Sequence, residues 1–412
     1  MSWRVYLRVA SVGIPLVVIL AIYFAPALVA FVYTGIVALA PLWLPLALAA
    51  LFAPLWLHFI RSRFVSNIQY VTLELKPGAN TPKTARPMEL IFYSLYYRTD
   101  TTRTSALRKG VIRVPWAFEL CATRGIVRFF IHVPVQHRAA IEGRIRAEYR
   151  DVDIDEARDY SRERSFNLFE SRALMREYSL VKPDPYPLRS YVSHEHSKER
   201  RYVFEELLEE VASVGEGEEV WISLMVRPHQ RDWPPGLRGF LEMPYDSLHV
   251  DAQKEIQKIL GSSGDMRHLP QAQQELVKQI ESALKKPSFD CGLRVLYCAD
   301  KGRYSEQRAE SLDTLFDRFG DPVLNSLGAY DPSERMSWPL SDIFAVAPAL
   351  KMEYFLRLFR RRTFFSPPYY GRTFVLNTEE LATLYHLPKV GRASVLNRSQ
   401  SAQLLPPDNL PV

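Results

Sequence analysis

A membrane-spanning helical hairpin followed by an α+β region is the fold class this sequence predicts, and three observations predict it. From Val9 to Leu57 there is no Asp, Glu, Lys, Arg or His. After Arg63, strand-like and helix-like segments alternate in a definite order, and beyond Ser161 a similar order returns.

A helix rises about 1.5 Å per residue and a bilayer core is about 30 Å thick, so the apolar run is roughly twice too long for one crossing. Two crossings fit, at about Leu7 to Ala30 and Ile36 to Phe59, with a tight turn at Tyr33 to Gly35. Pro15, Pro26, Pro41, Pro45 and Pro54 punctuate the run, and lipid-embedded helices tolerate prolines whose freed carbonyls find other partners. A secretory signal has a much shorter apolar core. Arg4 and Arg8 precede the run and Arg61 and Arg63 follow it, an arrangement from which the expectation is that both termini and the soluble part lie in the cytoplasm.

The first soluble unit, residues 64–160, opens with the alternating strand Ile68 to Leu75, stopped by Lys76-Pro-Gly78. Pro87 to Tyr97 carries Met88, Ile91 and Leu95 on one helical face. Trp116 to Thr123 and Ile126 to Val133 are apolar strands joined across Arg124-Gly125, a hairpin signal. Pro134 introduces a helix over Val135 to Tyr149 with Ile141, Ile145 and Tyr149 at four-residue spacing, and Val152 to Ala157 is a closing strand. This βαββαβ order is that of a ferredoxin-like unit.

A charged link, Ser161 to Glu170, leads to a second unit over residues 161–388. Ala173 to Val181 reads as a strand ended by Lys182-Pro-Asp-Pro-Tyr-Pro187. Tyr202 to Val214 is a helix facing inward with Phe204, Leu207, Leu208 and Val211, and Val220 to Val226 is a strand. Residues 227–285 form a helical insertion, with helices near Ala252 to Leu260 and Ala272 to Leu284. Phe289 to Ala299, Ser305 to Phe319 and Arg372 to Leu376 complete a second βαββαβ as strand, helix and last strand. Residues 389–412 are a Pro-containing tail, and residues 1–63 are the hairpin.

The 52 Lys and Arg against 46 Asp and Glu give a net charge of +6 and a pI near 9.0. That mild excess suits anionic lipid or nucleic acid without requiring either. Cys121, Cys291 and Cys298 contain no CxxC pair, which argues against a disulfide framework or structural zinc; His194 and His196 are read as surface residues. There is no Walker-type phosphate loop, since Gly is never followed by Lys, and no G-x-S-x-G, H-E-x-x-H or G-x-G-x-x-G. The sequence offers no catalytic constellation and implies no cofactor or metal, so the expectation is a protein that is not an enzyme.

One stretch mixes cations with aromatics. Leu350 to Phe365 holds Lys351, Arg357, Arg360, Arg361 and Arg362 among Tyr354, Phe355, Phe359, Phe364 and Phe365. Such a segment meets an anionic membrane surface or nucleic acid, or is an amphipathic helix with its aromatics in the core. Glu379 to Leu387 reads as a short helix whose Leu381, Leu384 and Leu387 offer a docking stripe.

Four stretches carry a resemblance: Val152 to Tyr160, Leu180 to Tyr191, Gly217 to Pro228, and Phe374 to Pro388 with Ala402 to Pro411. As a set they resemble the N-terminal, membrane-anchored region of bacterial conjugative-transfer ATPase proteins of the type IV secretion class. In those proteins a helicase-like motor follows this region, and here none does. The resemblance therefore implies a membrane-anchored, non-catalytic accessory subunit that docks a separate phosphate-loop ATPase at the cytoplasmic face, with self-association through its sheets. The alternative expectation is a membrane-associated nucleic-acid-binding module.

Overall fold

A computed structural model describes residues 23 and 26–388, apart from 79, 83, 97–102, 164–169, 193–202, 231–245, 262–265, 333–347 and 367–368. Two compact units result, Met1–Arg61 and Ser62–Val412.

The N-terminal unit is helical. Helix α1 spans Pro26–Ala38 and α2 spans Ala40–Ser66, continuing past the unit boundary. At 27 residues, α2 is about 40 Å long, enough to cross a bilayer core. It is the one helix among the described residues long and apolar enough to do so. The turn expected at Tyr33 to Gly35 is corrected: these residues lie within α1, where the Thr34 hydroxyl donates to the Ala30 carbonyl at 2.8 Å. The break falls at Leu39, just ahead of Pro41. In the first turn of α2 the N–H that Pro41 lacks has no intrahelical partner to lose. Most of the first expected crossing lies outside the described residues.

The second unit is built on one antiparallel sheet. Its elements are β1 (Tyr70–Lys76), α3 (Arg86–Leu95), α4 (Arg103–Lys109), β2 (Trp116–Thr123), β3 (Ile126–Pro134), α5 (Arg138–Glu148), β4 (Asp153–Ala157), β5 (Ser171–Leu180), α6 (Val203–Ala212), β6 (Glu218–Pro228), α7 (Ser247–Leu260), α8 (Gln271–Leu284), β7 (Ser288–Asp300), α9 (Glu306–Ser311), β8 (Leu327–Tyr330), α10 (Pro348–Arg360), β9 (Phe365–Ser366), β10 (Tyr369–Tyr370), β11 (Phe374–Asn377) and α11 (Thr378–Leu384). The strand order is β4-β1-β3-β2-β6-β7-β5-β8, with β11 pairing β7 beyond the end of β5.

Strands β2 and β6 join the two halves, in register from Trp116 opposite Val226 to Thr123 opposite Glu219. The boundary read at residues 160 and 161 therefore lies inside one unit whose sheet runs through. The β2–β3 hairpin turns on Arg124 and Gly125, both left-handed at φ 50° and 79°, the geometry a two-residue turn needs to match strand twist. The last strand expected near Arg372 to Leu376 forms as β11 and pairs with β7, and the outer edge is taken by β8, a strand with no counterpart in the sequence reading. One second-half expectation is corrected. The helix expected over Ser305 to Phe319 stops at Ser311 and continues as short 3-10 turns.

Because strand side chains alternate between faces, the sheet has two cores. On one face, alternate residues of every long strand pack against α3, α5, α6, α9 and α11, through residues such as Phe92, Ile145 and Leu207. The opposite face is covered by α10, with Phe355, Leu356, Leu358 and Phe359 packed against Phe130, Trp221 and Leu296. Gly292 and Gly371 have no side chain because the Phe364 ring lies against both; a Cβ at either would sit 2.3 Å from it.

Candidate functional site

A polar cleft forms where the chain after β5 meets α11. The Asn377 side chain caps α11 by accepting from the Glu379 and Glu380 N–H groups, and Glu380 accepts in return from the Asn377 N–H at 2.7 Å, a closed capping box. Its second oxygen accepts from the Leu188 N–H at 2.6 Å, and the Thr383 hydroxyl accepts from the Tyr191 N–H at 3.0 Å. Burial pushes the Glu380 carboxyl up to about 7, against the pull of the Asn377 and Leu188 N–H groups.

Beside it, Lys286 bridges Glu89 of α3, at 3.1 Å, and Glu379. Arg86 pairs with Glu89 at 2.9 Å, and the Tyr191 hydroxyl donates to the same carboxylate at 2.5 Å. Burial works against the charged forms of both Glu89 and Lys286. Bonds from Tyr191 and Lys286 nonetheless hold Glu89 below the usual carboxylate range, and Glu379 and Glu89 raise Lys286. The cleft encloses about 490 Å³, with Arg189, Ser190, Gln279 and Asp321 also on its walls. Two stretches quoted for the sequence resemblance, Leu180 to Tyr191 and Phe374 to Pro388, thus meet in space.

The α10-covered face holds a second constellation. Directly opposed positions place Glu119, Ser223, Arg294, Glu177 and Tyr330 in a row across β2, β6, β7, β5 and β8. Arg294 and Glu177 are fully buried and paired at 2.6 Å, the Tyr369 and Tyr330 hydroxyls each donate to Glu177 at 2.7 Å, and the Arg294 guanidinium lies over Phe364 and Tyr369. Arg362, left-handed at φ 48°, donates through Nη2 to Glu119 and Asp159, both at 2.9 Å. Burial opposes ionisation of Asp159, but the Arg362 guanidinium overcomes it and holds the carboxyl down at about 2. A third group closes the base of β7: Asp290 takes Arg113 at 3.0 Å, Arg227 at 2.9 Å and His229 at 2.6 Å. Against the cost of burial, His229, Arg227 and Arg113 hold Asp290 down at about 2.

The residues singled out in the sequence divide accordingly. Arg362 is enclosed by carboxylates, Arg360 donates to the Ser161 carbonyl at 2.9 Å, Arg357 pairs with Glu353 at 2.7 Å and Arg361 is exposed. Lys351 lies in α10, with its side chain outside the described set. Phe355, Phe359, Phe364 and Phe365 are buried, so the aromatics that would stack bases face the sheet. Leu381, Leu384 and Leu387 are buried in the chain's own core, so the expected docking stripe is corrected to a packing stripe. Sequence reasoning missed Glu119, Glu177, Arg294 and Asp290. The available signal was a charged residue inside an otherwise apolar strand.

Among the described residues no group of three or more His, Cys, Asp and Glu is placed to hold a metal. Residues 69–397 match the family model described as Domain of unknown function (DUF8128). The chain belongs to the DUF8128 family. No curated protein matches it. The DUF8128 match begins one residue before β1 and takes in the sheet, both of its covers and the cleft, whereas α1 and α2 lie outside it.

Proposed function

We propose that the protein is a membrane-anchored, non-catalytic accessory subunit of a type IV secretion-like or conjugative DNA-transfer system. It docks a separate phosphate-loop ATPase at the cytoplasmic face of the inner membrane. The observation that carries this reading is the pairing of a membrane-length apolar helix with a sheet unit whose buried charges are spent on holding its own parts together.

Within this proposal the anchor is a two-crossing hairpin with its break at Leu39, and the sheet is two ferredoxin-like units. The orders β4-β1-β3-β2 and β8-β5-β7-β6 support that reading, because each is the same arrangement of first, second, third and fourth strand. The sheet edges support a docking role. Strand β4 carries Asp153, Asp155 and Glu156, all exposed, and charges on an edge resist strand addition. Strand β8, Leu-Gly-Ala-Tyr, carries none, and it is the edge suited to adding a strand from a partner or a second copy.

The test is recovery of the tagged full chain from native membranes in mild detergent, with co-purifying chains identified by mass spectrometry. A phosphate-loop ATPase or other secretion components are the expected partners. Recovery of the chain alone, or with nucleic acid retained at moderate salt, overturns the reading.

A further inference from the structure

Among the described residues, the cleft beside α11 contains one cation without a partner. Arg189 is half-buried on its wall and makes no hydrogen bond or ion pair among the described residues, whereas every other buried or half-buried charge around it is engaged. Lys286 is shared by Glu89 and Glu379, and Glu380 accepts two backbone N–H groups. A guanidinium held partly out of water without an acceptor has lost hydration and gained nothing in return, and its planar donor fork fits a carboxylate.

Two carboxylates on the same walls are only half used. Glu379 takes Lys286 on Oε2, and Asp321 takes the Val323 and Leu324 N–H groups on Oδ1. Oε1 of Glu379 and Oδ2 of Asp321 have no partner among the described residues. The walls therefore present two cations, Arg189 and Lys286, and the two half-used carboxylates of Glu379 and Asp321, while the fifth group, Glu380, is pushed up to about 7 by burial and has both oxygens taken by backbone N–H groups. A lining with balanced charge favours a ligand with both signs and no net charge. The volume of about 490 Å³ lies within the range of small-molecule sites.

We propose that this cleft binds a zwitterion of short-peptide size, its carboxylate on Arg189 and its ammonium on the open oxygens of Glu379 and Asp321. This goes beyond the docking role and does not depend on it. The chemistry is binding alone.

The experiment is calorimetric titration of the full chain in detergent with trialanine, alongside N-acetyl-trialanine and trialanine amide. Saturable binding with Kd of about 1 mM or tighter is expected for trialanine, with each capped peptide at least about tenfold weaker, since each lacks one charge-assisted contact. Arg189→Met should weaken trialanine binding by a similar factor, and Arg189→Lys should restore part of it. The capped peptides are compared on the unaltered chain, so the result stands even where a variant folds poorly. No saturable heat with trialanine, equal binding of either capped peptide, or unchanged binding by Arg189→Met overturns the proposal.

Discussion

The two faces of the sheet are covered in different ways. One face meets mostly helices supplied by the strands' own connections, α3 and α5 in the first half and α6 and α9 in the second, packed chiefly through apolar contacts, with the late helix α11 added beside them. The other meets a cover from far along the chain, α10 and the segment to Tyr370. That cover is fixed by buried charges as well as packing: Arg362 reaches Glu119 across 243 residues of sequence. Apolar burial is non-directional, so a helix returning over its own strand needs no specific partner. A distant segment has more wrong places to settle, and a charge that is satisfied at one position selects that position. The difference teaches that the basic, aromatic segment is a latch facing inward.

The largest expected effect breaks the latch. Arg362→Met leaves the buried Glu119 and the largely buried Asp159 without their counter-charge, and should cost about 3–5 kcal/mol, measured by denaturant unfolding of the full chain in detergent. A cost below about 1 kcal/mol, the range of surface pairs, would place Arg362 in solvent. Gly292→Ala tests the same face sterically. Its Cβ would fall 2.3 Å from the Phe364 ring, and overpacking of this kind costs about 1–3 kcal/mol; a neutral outcome means that Phe364 does not lie on the sheet.

The pH dependence sharpens the contrast further. Asp159 and Asp290 are lowered from 3.8 to about 2, so their stabilisation is full above 3.8 and is lost as pH falls through about 2. Glu380, on the helix-covered side, is raised from 4.5 to about 7. Its contribution is full below 4.5 and is lost as pH rises through about 7. Urea midpoints of Glu380→Gln should therefore vary less with pH between these two values than those of the unaltered chain. Parallel curves would mean that Glu380 titrates normally.

This contrast also explains what was legible in the sequence. The β2–β3 hairpin could be read because Arg124-Gly125 sits between two apolar runs, and α6 because Phe204, Leu207, Leu208 and Val211 repeat at helical spacing. Both signals are local. Strand β8 was missed because Leu-Gly-Ala-Tyr is four residues long with no alternation, and it is a strand only because β5 lies beside it. The cation-aromatic stretch could be read either as a surface or as a helix with its aromatics in the core, and the burial of Arg362 could not be read because Arg362 looks like its neighbours. Its carboxylate partners lie on β2 and after β4, and nothing near Arg362 in the chain announces them. The cleft is equally non-local, since Arg189, Lys286 and Glu379 come from three separate segments. The turn at Leu39 was misplaced because Gly35 looks like a breaker, although a glycine inside an apolar helix leaves its hydrogen bonds intact.

The most direct test of the latch is native-state hydrogen exchange on the full chain in detergent, comparing the amides of Phe355 to Phe365 with those of β7. The account predicts that both groups exchange only through global unfolding, and that Arg362→Met speeds exchange in the cover ahead of β7. Rapid exchange across Phe355 to Phe365 in the unaltered chain, with β7 still protected, would contradict it and return that segment to the surface.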